Sequence, residues 1–312
     1  MWITLSLATR VVNPETSAVQ WQKITLVGVG LLGGSLGLAV RQRGLASRVV
    51  GYVRRPASVA ECRETGAVDD ADTDLWRAVE GADLVVLSTP IAQMNDLATR
   101  MLSALRPGAL VTDVGSVKAS VVTALEPLIG GTGAHFIGSH PMAGAEKMGV
   151  RAARADLFEG AICVVTPTST SDPRLVSRLE NLWQSVGGRP LRLSAELHDD
   201  LVGRSSHLPH VIAAELANYV LSPVHPKEQA LLCATGFRDT TRVASGSPEM
   251  WRDICLANRK NLARVLGVFI EDLQEFQLAL EKEDNRAIAE FFEQAKSRRD
   301  AWSGHAASPS PE

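Results

Sequence analysis

From Lys23 to about Leu193, short apolar runs alternate with segments of helical spacing. Residues 24–30 (ITLVGVG) are β-formers ending on glycine, and residues 31–44 follow with helical periodicity and a glycine stop. Residues 49–53 (VVGYV) predict a second strand, and 57–66 hold a short helix. Residues 83–90 (DLVVLSTP) lack apolar–polar alternation, as a strand buried on both faces requires. Further strands are expected at 109–116, 135–141, 161–168 and 189–194. Strand–helix–strand alternation over this length predicts an α/β fold built on a doubly wound parallel sheet.

Beyond Ser194 the strand signals vanish. Leu262, Leu266, Phe269, Leu273, Phe276 and Leu280 recur at three- and four-residue steps, a stripe along one helix face. Such a stripe needs a partner surface. The preferred partner is a second copy of the chain, giving a homodimer through an all-α dimerisation domain; an intramolecular core is the alternative. The expected organisation is a tail at 1–20, a first domain at 21–193, a helical domain at 194–302 and a disordered tail at 303–312.

The chain has 312 residues, enough for two domains, with 45% hydrophobic residues to fill their cores. A net charge of −3 without a long basic run argues against nucleic acid or an anionic membrane, leaving a small-molecule substrate. Four scattered cysteines (Cys62, Cys163, Cys233, Cys255) form no CxxC pair, which points to a reducing cytoplasm. No window of 18 apolar residues spans a membrane, and no basic n-region opens the chain.

Gly28-Val29-Gly30-Leu31-Leu32-Gly33 is G-x-G-x-x-G between a predicted strand and a predicted helix. In that setting it reads as a Rossmann-type dinucleotide turn. Gly28 permits the tight turn, Gly30 close approach of the pyrophosphate and Gly33 close helix–strand packing, while the helix N-terminus supplies amide donors. Leu31 and Leu32 belong to the same turn, and Ser88 and Thr89 end the third predicted strand on the expected cofactor side. A carboxylate about 20 residues further on would favour NAD. The sequence has Arg54-Arg55 there instead, suited to a 2′-phosphate, so NADP is favoured and NAD stays open.

Three more segments gather polar residues. Asp113–Lys118 (DVGSVK) and 138–146 (GSHPMAGAE) follow predicted strands, where such sheets bind ligands. His140 would emerge where a nicotinamide lies and accept a hydrogen bond from a substrate hydroxyl as hydride leaves its carbon; Ser116 would orient the ring. In SHLPH, His207 and His210 share a helix face near a first-turn Pro209, but no third ligand or HExxH spacing supports a metal. Within GFRDTTR, Arg242 can clamp a carboxylate with Asp239 as partner.

Taken together, GVGLLGGSLG, TDVGSVK, GSHPMAG, SHLPH, GFRDTTR and PEMWRDI make the chain resemble the prephenate/arogenate dehydrogenase family of tyrosine biosynthesis, over about residues 23–300. The resemblance implies oxidative decarboxylation of a cyclohexadienyl ring. His140 takes the 4-hydroxyl hydrogen bond, Ser116 supports it and Arg242 binds a carboxylate. His207 and His210 line the pocket, while Glu146, Asp199 and Asp239 form a polar network at its entrance. His210 and Glu146 resemble prephenate-accepting members. Arg54-Arg55 resembles NADP-using members, several of which prefer arogenate, so both substrates stay open. Neither a fused ACT domain nor a chorismate mutase segment is expected. Two rivals remain: a 3-hydroxyacid dehydrogenase, whose lysine motif is missing around Lys227 and Lys260, and a non-catalytic dinucleotide sensor.

Overall fold

The apolar runs become six parallel strands: β1 (Trp21–Val27), β2 (Ala46–Tyr52), β3 (Asp70–Asp72), β4 (Leu84–Leu87), β5 (Leu110–Asp113) and β6 (His135–Phe136). The fold comes from a computed structural model, which describes residues 19–145 and 147–306. The lateral order is β3-β2-β1-β4-β5-β6, the doubly wound arrangement, with every pair parallel. Between the strands run α1 (Leu31–Gln42), α2 (Pro56–Glu64), α3 (Leu75–Val79), α4 (Ile91–Met101) and α5 (Ala119–Gly130).

β4 shows why its sequence lacks alternation. Val85 and Leu87 join a core that includes Met94 and Met101 of α4 and Leu125 of α5. Leu84 and Val86 point the other way, into a core with Leu36 and Val40 of α1. Both faces are dry, so every position is apolar.

The expected single series of parallel strands divides in two. Residues 135–141 are not one strand. After β6 the Ile137 amide still bonds Val111 O at 3.0 Å, and then β7 (Gly138–Pro141) leaves the sheet. β7 pairs antiparallel with β8 (Ile162–Thr166), which pairs parallel with β9 (Arg189–Arg192) across α6 (Pro173–Ser185). Side-chain bonding at the end of β5 accounts for the break. Ser139 donates its hydroxyl to Asp113 O at 2.7 Å and its amide to Asp113 Oδ1 at 3.2 Å, tying β7 there instead of extending the ladder.

Helices take over next. α7 (Ala195–Val202) buries Ala195, His198, Asp199 and Val202, a 0, 3, 4, 7 stripe. A π-helical turn at Gly203–His207 follows and runs directly into α8 (Leu208–Val220). His207 is itself helical, so Pro209 stands inside a continuous helical path and not at the free helix N-terminus its residue type suggested. With no amide hydrogen, Pro209 removes one i→i−4 bond, which suits a wide turn beside it. α9 (Glu228–Leu231), α10 (Thr235–Thr241) and α11 (Pro248–Ala257) complete a compact unit ending at Asn258.

Residues 259–312 form a second unit, containing α12 (Arg259–Glu281) and α13 (Asn285–Ala306). α13 continues past the expected tail boundary at 303. Phe276 meets Phe291 with ring centroids 4.5 Å apart. Of the predicted stripe, Leu262 is buried, whereas Leu273 and Leu280 are about half exposed (47% and 52%). Residues 1–18 and 307–312, most of the two expected tails, lie outside the described residues, as does Glu146. Among the described residues no helix is long and apolar enough to cross a membrane.

Candidate active site

The strand order reverses between β2 and β4 on either side of β1, and there the glycine turn sits. Gly28 has φ +97°, and a Cβ on it would lie 2.8 Å from Ser88 O and Thr89 Cγ2. At Gly33 a Cβ would come within 2.2 Å of Gly28 O. Gly30 differs, since a Cβ there would meet nothing within 4 Å. The chain itself leaves that space open, as close approach of a phosphate needs. Gly30 caps α1 without a side-chain hydrogen bond, so first-turn amides at Leu31, Leu32 and Gly33 are available to an anion. The hydroxyls of Ser88 and Thr89 are buried and have no hydrogen-bond partner among the described residues. Orphaned hydroxyls are uncommon in a folded interior, and here they border the glycine turn. An open cradle, free amides and two unmatched hydroxyls together fit a dinucleotide. Arg54 and Arg55 follow β2, both exposed and neither ion-paired with a carboxylate among the described residues.

Beside this cradle, at the end of β5, Asp113 and Lys118 form an ion pair in which both side chains are fully buried. Lys118 Nζ also donates to Ser139 O at 2.8 Å, and Asp113 Oδ2 accepts the Gly115 amide at 2.8 Å. Burial lowers the Lys118 pKa, opposed by the Asp113 charge. The pair holds the loop bearing Ser116 against the strand bearing His140.

His140 is buried on β7, with Nδ1 2.8 Å from Nε2 of His198 on α7. The two rings meet edge-on, centroids 5.1 Å apart. His198 Nδ1 lies 2.8 Å from Asp199 Oδ1. That carboxylate also accepts the backbone amides of Lys118 (2.7 Å) and Ala119 (2.9 Å), capping α5. Burial holds the His140 pKa well below the usual imidazole value, and the neighbouring His198, Lys118 and His207 press the same way. His140 is therefore neutral and able to accept a proton.

On the π-helical turn, His207 is buried. Its Nδ1 stands 3.1 Å from Asn258 Nδ2, which also donates to Asp199 O at 2.8 Å. The shared nitrogen faces a carbonyl that can only accept, so it is the amide N–H₂ group, and His207 Nδ1 accepts from it. The proton of neutral His207 thus sits on Nε2, which is buried with no hydrogen-bond partner among the described residues. Burial pushes the His207 pKa down to about 4, against the opposing charge of Asp199. His210 donates from Nδ1 to Ser206 O at 2.9 Å and stacks on Trp251, centroids 3.8 Å apart. Burial and then the Arg242 charge lower its pKa.

The fold thus gathers Ser116, His140, His207, His210 and the neighbouring Arg242 from five segments. Of the expected acidic entrance network, Asp199 and Asp239 lie in different settings. Asp199 is buried, 1% exposed, and committed to His198 and the α5 amides; Asp239 is exposed on α10; Glu146 lies outside the described residues. His198 and Asn258 are candidate site residues that motif reading passed over, and Trp251 entered only within PEMWRDI, although the 0, 3, 4, 7 stripe of α7 marks His198 and Asp199 as inward-facing. Among the described residues no three His, Cys, Asp or Glu side chains are grouped to hold a metal ion.

Known proteins resemble this one over about nine-tenths of the chain. Residues 36–191 match the family model for the nucleotide-binding domain of prephenate dehydrogenase, and residues 194–294 match that for its dimerization domain. The chain is 33% identical over 283 residues to a prephenate dehydrogenase of Bacillus subtilis, covering 89% of this chain and 75% of that one. It is also 33% identical over 282 residues to a cyclohexadienyl dehydrogenase of Zymomonas mobilis, covering 89% and 95%. A crystal structure of prephenate dehydrogenase from A. aeolicus, in complex with hydroxyphenyl propionate and NAD+, superposes with a TM-score of 0.84 at 32% identity, covering 90% of this chain and 98% of that one.

Proposed function

The chain belongs to the prephenate dehydrogenase family, and on that premise we propose that it catalyses the oxidative decarboxylation of a cyclohexadienyl substrate in tyrosine biosynthesis. Prephenate gives 4-hydroxyphenylpyruvate and CO2; arogenate gives tyrosine and CO2. The observation that carries the reading is His140, buried and neutral, with Nδ1 engaged by His198 and Nε2 left for substrate.

A nicotinamide dinucleotide, when bound, accepts the hydride that leaves the ring carbon bearing the 4-hydroxyl. The residues of this chain do the rest. Gly28, Gly30 and Gly33, the first-turn amides at Leu31 and Leu32, and the hydroxyls of Ser88 and Thr89 hold the dinucleotide. His140 Nε2 accepts the 4-hydroxyl proton as the hydride leaves and returns it to the same oxygen as decarboxylation makes the ring a phenolate, while Ser116, on the loop pinned by Lys118, orients the reacting groups. Departure of the ring carboxylate as CO2 leaves an aromatic product, so the step runs downhill once the carbon is oxidised. Arg242 binds a substrate carboxylate beside His210, and His207 Nε2–H donates into the same pocket.

Two finer readings accompany this. Arg54 and Arg55, exposed after β2 and without carboxylate partners among the described residues, favour a 2′-phosphate and hence NADP over NAD. Exposed apolar side chains on α12 and α13, among them Val268, Leu273, Leu278, Phe292 and Trp302, favour a homodimer built through the helical domain that begins near residue 194.

Purified protein assayed with NADP or NAD and with prephenate or arogenate, following reduced cofactor at 340 nm, tests the reading. Turnover is expected in at least one of the four pairings, with NADP the better cofactor; silence in all four defeats the assignment. His140→Asn is expected to abolish turnover and to leave cofactor affinity nearly unchanged.

A further inference from the structure

A buried chain of hydrogen bonds runs from the start of α5 to the proposed base: the amides of Lys118 and Ala119, Asp199, His198, His140. The polarity of each link follows from the one before. Backbone amides only donate, so both Asp199 oxygens accept, and Asp199 is the acceptor end of the chain. His198 Nδ1 must then be the donor to Asp199 Oδ1. A neutral His198 carries no proton on Nε2, and that lone pair faces His140 Nδ1 at 2.8 Å. His140 Nδ1 is the donor there, which leaves its Nε2 unprotonated.

We propose that His198 is a positioning residue that couples Asp199 to His140 and fixes His140 as the tautomer offering Nε2 to the substrate hydroxyl. This rests on the reading of His140 as the base. A free neutral imidazole favours the opposite tautomer modestly, with its proton on Nε2, where it would point a donor at a group that must itself donate. The relay reverses that preference by placing an acceptor at Nδ1. It also serves the protonated state: an imidazolium formed at His140 keeps its Nδ1–H bond to His198, whose far nitrogen is held by a carboxylate. His198 is wholly buried with both ring nitrogens committed, so no solvent proton competes for either. The charged or titratable groups around His140 are His198 and Asp199 from α7, Lys118 with Asp113 from the β5–α5 loop, and His207 from the π-helical turn. Asp199 is the anion that the His198 ring joins to His140.

The test uses the full chain with its nicotinamide cofactor, labelled with 15N in histidine. In the wild type, His140 is expected to show a protonated Nδ1 and an unprotonated Nε2 at neutral pH, the resonances being assigned by their loss in His140→Asn. His198→Phe keeps the ring packing and removes both nitrogens. It should lower kcat by roughly 10²-fold or more, leave KM for substrate and cofactor within about threefold, and convert His140 to a mixture of tautomers. His198→Gln, which can donate to Asp199 and accept from His140, should restore both turnover and the Nδ1–H signal to near wild type. Turnover of His198→Phe within about threefold of wild type overturns the proposal, as does a wild-type His140 protonated on Nε2. If His198→Phe does not fold, the wild-type spectrum and His198→Gln still decide. Should His140→Asn retain turnover while the tautomer assignments hold, the base reading fails and the relay geometry stands.

Discussion

Acidification should loosen this fold through His207 before most carboxylates titrate. The imidazole titrates near 6.5 in an unfolded chain and near 4 when buried on the π-helical turn. Between those values the unfolded chain holds a proton that the folded chain excludes. Stability is therefore complete above about pH 6.5 and is lost as the pH falls toward 4. At about 1.4 kcal/mol per pH unit the whole interval amounts to roughly 3 kcal/mol, of which about 2 kcal/mol is gone by pH 5. Urea titrations of the wild type and His207→Gln at pH 8, 6.5, 5 and 4 isolate the effect, because His140, which titrates in the same sense, remains in both proteins. Whatever His207→Gln costs at pH 8, the gap between the two proteins should shrink, or reverse, by about 2 kcal/mol at pH 5. A gap constant to within about 0.5 kcal/mol from pH 8 to 4 would refute the buried, neutral state of His207.

Three further outcomes follow from the geometry. Replacing Arg54 and Arg55 together by Ala should weaken NADP binding about ten- to a hundredfold by fluorescence titration and barely change NAD; equal losses for both cofactors would remove the 2′-phosphate assignment. Gly30→Ala places its methyl where the chain has no atoms within 4 Å, so stability should stay within about 0.5 kcal/mol while cofactor affinity falls; unaltered affinity would contradict the open cradle. Lys118→Met strands a wholly buried Asp113 and should cost about 3–5 kcal/mol in chemical denaturation; a loss under about 1 kcal/mol would mean that the pair does not hold the loop.

The cofactor half of the site was legible because its constraints are local. A tight turn beside a strand demands Gly28, and close helix packing demands Gly33, whatever the rest of the chain does. β4 was equally plain, since burial on two faces leaves an unbroken apolar run. The division of residues 135–141 between two sheets was not, because both halves are β-forming and only the Ser139–Asp113 bonds decide where pairing stops. His140, His207 and Arg242 stood out by residue type and motif. The role of Asp199 did not, because a carboxylate in a polar segment looks exposed until its partners are known, and those partners lie 81 and 80 positions away in sequence at Lys118 and Ala119. His198 carried a signal of its own, a polar residue in step with Ala195 and Val202 on an inward face.

The π-helical turn at Gly203–His207 sets the phase of everything that follows it on α8. Such a turn holds one residue more than an α-helical path needs. If these residues tightened to an α-helix with none removed, everything downstream on α8 would swing by about 100° and slide by about 1.5 Å. His210 would leave the face of Trp251, with no catalytic group altered. A single deletion inside the turn takes out the extra residue and keeps α8 in phase. One-residue deletions here should therefore be better tolerated among functional variants than deletions within α8 itself.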